Sequence, residues 1–242
     1  MPKAVIFGAT GAVGSQLYAQ LAGWGNVVTV GRRAPPDDTA AAAAAGAAGA
    51  APPPGRSVRH IVLADLTALP ASAEARDAMA GADAAFIALG TTRGDAGSAE
   101  AFRRVDLDFV AAAAQAAKSA GVRYVGLVSA QGANPNLWAT NWKLLHPLLY
   151  SKTKGEAEEA VKAAGFPAVG IFRPGLLERG AAARSGERLF AGLVPSVPVA
   201  GVAAAMIADA ERFLTGGGRA AGVRVFEMAA IQKAAAAGAA PE

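Results

Sequence analysis

Tyr150 and Lys154 stand four residues apart in Tyr150-Ser151-Lys152-Thr153-Lys154, so a helix through this segment puts both on one face. A phenol gives up its proton reluctantly, with a pKa of about 10. An ammonium nearby favours the phenolate and eases the transfer. Ser129 closes the nearly all apolar run 123–128, a candidate strand, and can hold a reacting oxygen by a hydrogen bond. The three together form a candidate proton-transfer site, with Tyr150 as the acid, Lys154 as its electrostatic support and Ser129 as the oxygen anchor. A surface tyrosine and lysine on an amphipathic helix would show the same spacing. What favours chemistry is the serine at a strand end. His146, one turn before Tyr150 and followed by Pro147, reads as a capping or packing residue.

A second motif sits at the start of the chain. The run Ala4-Val5-Ile6-Phe7 leads straight into Gly8-Ala9-Thr10-Gly11-Ala12-Val13-Gly14, and a helical pattern follows. Gly8 allows a tight turn out of the strand, Gly11 lets the backbone approach a pyrophosphate, and Gly14 lets the helix pack closely on the sheet. The helix N-terminus offers free N–H groups and partial positive charge to the phosphates, with Thr10, Ala12 and Val13 beside them. An NAD-specific site places an acid at the end of the second strand, about 20 residues on, to bind the ribose 2′-hydroxyl. Here that strand ends in Val30-Gly31-Arg32-Arg33. Two guanidiniums suit a 2′-phosphate, which selects NADP(H), although a solvated surface pair is the plainer reading of the same residues. Asp65, followed by Leu66, falls either near the adenine or in the role of a loop cap.

These residues need a scaffold. Strands are expected at 3–7, 27–30, 59–63, 84–89, 123–128, 169–172 and 223–228, the first six nearly all apolar, as in parallel strands buried on both faces. Helical patterns lie between them: Val13, Leu17 and Leu21 share one face, as do Phe102, Val105 and Phe109. This alternation predicts an α/β fold with a doubly wound parallel sheet, Rossmann-type, and puts ligands at the carboxyl ends of the strands. The whole chain, 1–242, reads as one such domain, with a small C-terminal cap on the substrate side. Residues 39–55, rich in Ala and ending in a Pro triplet, read as a low-complexity loop insertion.

Composition removes several alternatives. The chain has no cysteine, which excludes disulfides, thiolate metal sites and cysteine nucleophiles. No His/Asp/Glu cluster has metal-ligand spacing, so no metal is expected. The net charge is +4, with basic residues scattered rather than striped, which argues against nucleic acid as a partner. No apolar run approaches the ~20 residues of a membrane span, and the first strand begins so early that a leader peptide is not expected. A soluble, cytoplasmic protein with a small-molecule substrate follows as the expectation. Trp138 and Trp142, set among leucines, read as core or helix–helix contact, an apolar substrate wall, a dimer face or a peripheral membrane contact.

The motifs together resemble the short-chain dehydrogenase/reductase superfamily. The run Ala88-Leu89-Gly90-Thr91-Thr92-Arg93-Gly94-Asp95-Ala96-Gly97, followed by Phe102-Arg103-Arg104-Val105-Asp106, is similar to the Tat-interacting protein group of atypical members. Ser129-Ala130-Gln131-Gly132-Ala133 and Phe172-Arg173-Pro174-Gly175 continue the likeness over most of the chain. The resemblance implies NADPH binding, a serine–tyrosine–lysine site, Leu89, Gly90 and Thr91 beside the cofactor, Pro174 near the nicotinamide, and Tyr150 and Lys154 touching the cofactor as well. It departs from many members at Asp106, where they carry an asparagine of a proton relay. The expected activity is NADPH-dependent reduction of a carbonyl. The alternative is a redox-sensing regulatory protein that binds NADP(H) with little turnover.

Overall fold

The structure is a computed structural model and describes residues 1–36, 57–139, 146–178, 196–217 and 221–237. The Ala-rich stretch 39–55 and Trp142 lie outside the described residues. Each expected strand forms: β1 (Lys3–Phe7), β2 (Asn26–Gly31), β3 (Ser57–Val62), β4 (Ala84–Ile87), β5 (Tyr124–Val128), β6 (Ala168–Arg173) and, after two short strands, β9 (Gly222–Glu227). The sheet order is β3-β2-β1-β4-β5-β6-β9, and all neighbours are parallel. The central strands are buried on both faces, which is why their sequences run apolar without alternating. β3, at one edge, keeps Arg59 and His60 exposed and buries Ile61.

Helices cover both faces. On one lie α1 (Ala12–Gln20), α6 (Val199–Thr215) and α7 (Met228–Ala237), with Leu17, Leu21, Met206 and Ile231 in the core. On the other lie α2 (Ala73–Met79), α4 (Phe109–Ser119) and α5 (His146–Ala163), with Met79, Phe109, Val110 and Val161 buried. α3 (Ala99–Arg103) runs into α4 through a π-helical turn, Arg104–Asp108. Such a wide turn rotates the residues inside it out of the helix's regular register, and here it turns Asp106 inward.

The strand order reverses between β1 and β4, so the loops after these two strands splay apart and leave a crevice at their carboxyl ends. A small sheet of β7 (Leu176–Glu178) and β8 (Ser196–Pro198) follows β6. Neither strand is legible from periodicity, since three residues are too few to alternate. In the C-terminal third, α6 packs into the main core against the α1 face, and β7 brings Leu177 to the crevice. No described helix is long and apolar enough to cross a membrane.

Candidate active site

The glycine turn is built as its sequence demands. Gly8 has φ +89°, a left-handed conformation that favours glycine, and its N–H donates to Val30 O at 2.9 Å. A Cβ at Gly14 would lie 2.0 Å from Gly8 O, so only glycine lets α1 start this close to the strand end. No side chain caps α1 at Gly11, and its first N–H groups face the crevice that Gly11, Ala12 and Val13 line.

Two adjoining cavities occupy this crevice. One, of about 130 Å³, is lined by Gly8, Thr10, Gly11, Gly31, Arg32 and Arg33, with Leu66, Leu89 and Gly90 opposite. The other, of about 200 Å³, runs from Gly11–Val13 past Gly90 and Thr91 to Ser129, Tyr150 and Lys154. They share Gly11, Ala88, Leu89 and Gly90. Side by side they form a cleft in two parts, with two exposed arginines at one end and the serine–tyrosine–lysine trio at the other. A dinucleotide fits this layout: uncapped helix amides stand midway, cations at one terminus, and the groups able to move a proton at the other.

At the trio, α5 presents Tyr150 and Lys154 on one face, with Lys154 Nζ 5.9 Å from the Tyr150 ring centre. Phe102 packs its ring 6.0 Å from that of Tyr150. Lys154 is nearly buried, and its ammonium pairs with Asp106 Oδ1 at 2.7 Å. Asp106 is fully buried and its Oδ2 accepts the Thr91 N–H at 2.8 Å, which ties the loop after β4 to the same carboxylate. Burial works against the Lys154 ammonium, but Asp106, aided by Tyr150 and Glu158, outweighs it and holds the pKa above the usual lysine value. Ser129 donates its hydroxyl proton to Glu158 Oε1 at 2.5 Å. Glu158 is 1% exposed and is gripped by Arg173 through Nε at 2.9 Å and Nη2 at 2.7 Å.

Most residues singled out from the sequence meet in this cleft. Three do not line it. Gly14 acts through packing. Asp65 accepts from the Thr67 N–H at 3.0 Å and the Thr67 hydroxyl at 2.8 Å and pairs with Arg104, so it is a loop cap. Those Thr67 bonds hold its carboxyl below the usual range. Pro174 lies beyond the cavity walls, its carbonyl accepting the Gln131 N–H at 3.0 Å. Trp138 is 71% exposed, which removes the core reading for it. Sequence reasoning missed Thr92 and Leu177 on the wall and Glu158 behind Ser129. Glu158 did carry a signal, since it continues the four-residue spacing of Tyr150 and Lys154. Among the described residues no group of three His, Asp or Glu could hold a metal ion.

A family model described as NAD(P)H-binding matches residues 8–211. The chain is 35% identical over 177 residues to the mitochondrial protein FMP52 of Lodderomyces elongisporus, which covers 72% of this chain and 66% of that protein. It is 37% identical over 142 residues to protein HTATIP2 of Rattus norvegicus, covering 54% of each, in line with the Tat-interacting protein likeness of the motifs. The chain thus spans less than two thirds of the length of either relative. Among solved structures, MoeE5 in complex with UDP-glucuronic acid and NAD gives a TM-score of 0.64 at 21% identity, over 99% of this chain and 83% of that one. DesIV, a dTDP-glucose 4,6-dehydratase from Streptomyces venezuelae with NAD and TYD bound, gives 0.62 at 18% identity, over 93% and 75%. At these identities the structural likeness establishes the fold.

Proposed function

Because this chain belongs to the NAD(P)H-binding family, matched over residues 8–211, we propose that it is an NADPH-dependent oxidoreductase of the short-chain dehydrogenase/reductase type, acting on a carbonyl/alcohol pair of a small molecule. The observation that carries this reading is the pair of adjoining cavities that reach from Arg32 and Arg33 to Ser129, Tyr150 and Lys154. When bound, the nicotinamide supplies the hydride. Arg32 and Arg33 hold the 2′-phosphate, and the α1 N-terminus holds the pyrophosphate. Tyr150 gives its hydroxyl proton to the substrate oxygen as the carbon–oxygen double bond becomes single. The Lys154 charge stabilises the phenolate left behind, and solvent returns the proton. Leu177 and Leu89 give the substrate end an apolar wall. The presence of all three catalytic residue types favours turnover over a purely regulatory NADP(H) sensor.

The cofactor assignment is tested by titrating NADPH and NADH against the protein's fluorescence. A charge-assisted hydrogen bond is worth about 1.5–3 kcal/mol, so NADPH should bind roughly tenfold to hundredfold tighter, and Arg32→Ala should narrow the gap. Equal or tighter binding of NADH removes the role given to the arginines. The activity is tested by screening carbonyl compounds for loss of NADPH absorbance. We place the protein in the cytoplasm; cell fractionation decides between that and an organelle, the latter suggested by the mitochondrial FMP52 relative.

A further inference from the structure

A serine hydroxyl has one proton to give and two lone pairs to offer. In this site the proton is already placed: Ser129 donates it to Glu158 at 2.5 Å, within the range of a strong, charge-assisted bond. The acceptor cannot readily turn away. Glu158 is buried, and Arg173 clasps both of its oxygens. Arg173 is itself fixed from β9 by Glu227 at 2.9 Å. Taking the Ser129 proton elsewhere would leave a buried carboxylate short of a partner. Resting on the oxidoreductase reading above, we propose that Glu158 is a positioning residue that turns Ser129 into a hydrogen-bond acceptor facing the cleft, so that the site selects a substrate whose oxygen at Ser129 carries a proton.

A bare carbonyl oxygen brings only lone pairs to Ser129, where they meet the lone pairs of Oγ. A hydroxyl brings the missing donor. Two substrates supply one: the alcohol partner of the redox pair, whose reacting oxygen then sits at Ser129, or a carbonyl compound with a hydroxyl on the neighbouring carbon, whose carbonyl faces Tyr150 instead.

The first test needs no turnover. The chain has no cysteine, so Ser129→Cys places a single thiol at this position, and the pH dependence of its alkylation by iodoacetamide reports the carboxylate behind it. The half-reaction pH should lie at least one unit above that of an ordinary thiol, about 8.5. Adding Glu158→Gln should lower it by a unit or more, whereas plain burial would leave it where it was. An unchanged midpoint overturns the proposal.

The second test uses the folded Tyr150→Phe protein with NADP⁺, in which cyclohexanol, cyclohexanone and 2-hydroxycyclohexanone are compared as ligands by calorimetry. Cyclohexanol at least tenfold tighter than cyclohexanone assigns the reacting oxygen to Ser129; a preference for the hydroxyketone alone assigns the neighbouring one. Adding Ser129→Ala should erase either preference. A ketone that binds as well as both hydroxyl compounds overturns the proposal; if none of the three binds, the fall of the thiol midpoint on adding Glu158→Gln decides. If that variant does not fold, Glu158→Asp, whose carboxylate stands one methylene farther from the thiol, takes its place with a fall in the same direction, an unchanged midpoint again overturning the proposal. Failure of the oxidoreductase reading is seen separately, as a wild-type protein that consumes no NADPH with any carbonyl while the thiol midpoint still shifts.

Discussion

Two tyrosines in this molecule stand beside charged groups, one beside an acid and the other beside an ammonium. Tyr124, on β5, is fully buried beneath the sheet. Its hydroxyl donates to Asp209 Oδ2 at 2.9 Å, and Asp209 also takes Arg224 through Nε at 3.2 Å and Nη2 at 2.9 Å. Burial first, and then the Asp209 charge, push the Tyr124 phenol well above its ordinary pKa. Tyr150, by contrast, lines the cleft and has an ammonium near its ring. The Tyr124 hydroxyl is spent on a buried acid, whereas the Tyr150 ring stands near a cation on the wall of the cleft. Both clusters contain a buried carboxylate, so buried charge alone does not mark a site. The sign of the neighbour and an opening to solvent do.

The contrast is broken most severely at Tyr150. Tyr150→Phe keeps the ring that packs on Phe102 and removes only the hydroxyl, so cofactor affinity and melting temperature should hold. Turnover of whichever carbonyl compound the screen identifies should fall by roughly 10²–10⁴-fold, the usual worth of one general acid. A variant that reduces the same compound at the wild-type rate shows that the trio does not perform the proton transfer. The next effect in size is on stability. Lys154→Met strands the fully buried Asp106 without its cation, and removing one member of a buried pair costs about 3–5 kcal/mol. Urea unfolding measures it, and adding Asp106→Leu should recover much of the loss. A cost below 1 kcal/mol would mean that water already reaches Asp106, in which case the pair is not what fixes Lys154.

How far these features are legible in sequence depends on how local they are. The strands of the main sheet follow from apolar runs, because a strand covered on both faces must be apolar throughout. Tyr150 and Lys154 follow from helical spacing, and the Gly8 turn from a motif contained in seven residues. The cap role of Asp65 is equally local, since its partner Thr67 is two residues away. The partners of the trio are not local. Ser129 and Glu158 are 29 residues apart and meet only because β5 ends beside α5. Asp106 meets Lys154 from within a π turn, which a 3.6-residue repeat does not reveal. Those two carboxylates hold the Ser129 hydroxyl and the Lys154 ammonium, so the residue types were readable while their hydrogen-bond partners were not.

The smallest expected effect belongs to Tyr124, and its pH dependence is the sharper part. Tyr124→Phe deletes one hydrogen bond to a charged acceptor, worth about 1.5–3 kcal/mol, while Arg224 still compensates Asp209. Activity should not change, because the cluster does not open into the cleft. The folded protein keeps the Tyr124 proton above the pH at which the unfolded chain releases it, near 10.0. Above that pH the unfolded state binds one proton fewer than the native state at this position, so wild-type stability falls by about 1.4 kcal/mol per pH unit until the raised native pKa is reached. Phenylalanine has no proton to lose and escapes this slope. Alkaline loss from Lys154, whose pKa is also raised, is common to both proteins and cancels in the difference. The stability gap between wild type and Tyr124→Phe should therefore be constant from pH 6 to 9 and close as the pH climbs past about 10, as followed by urea unfolding at each pH. A gap that stays constant through pH 11 would mean that Tyr124 ionises in the native state as easily as in the unfolded chain, and that the seal over this cluster is open.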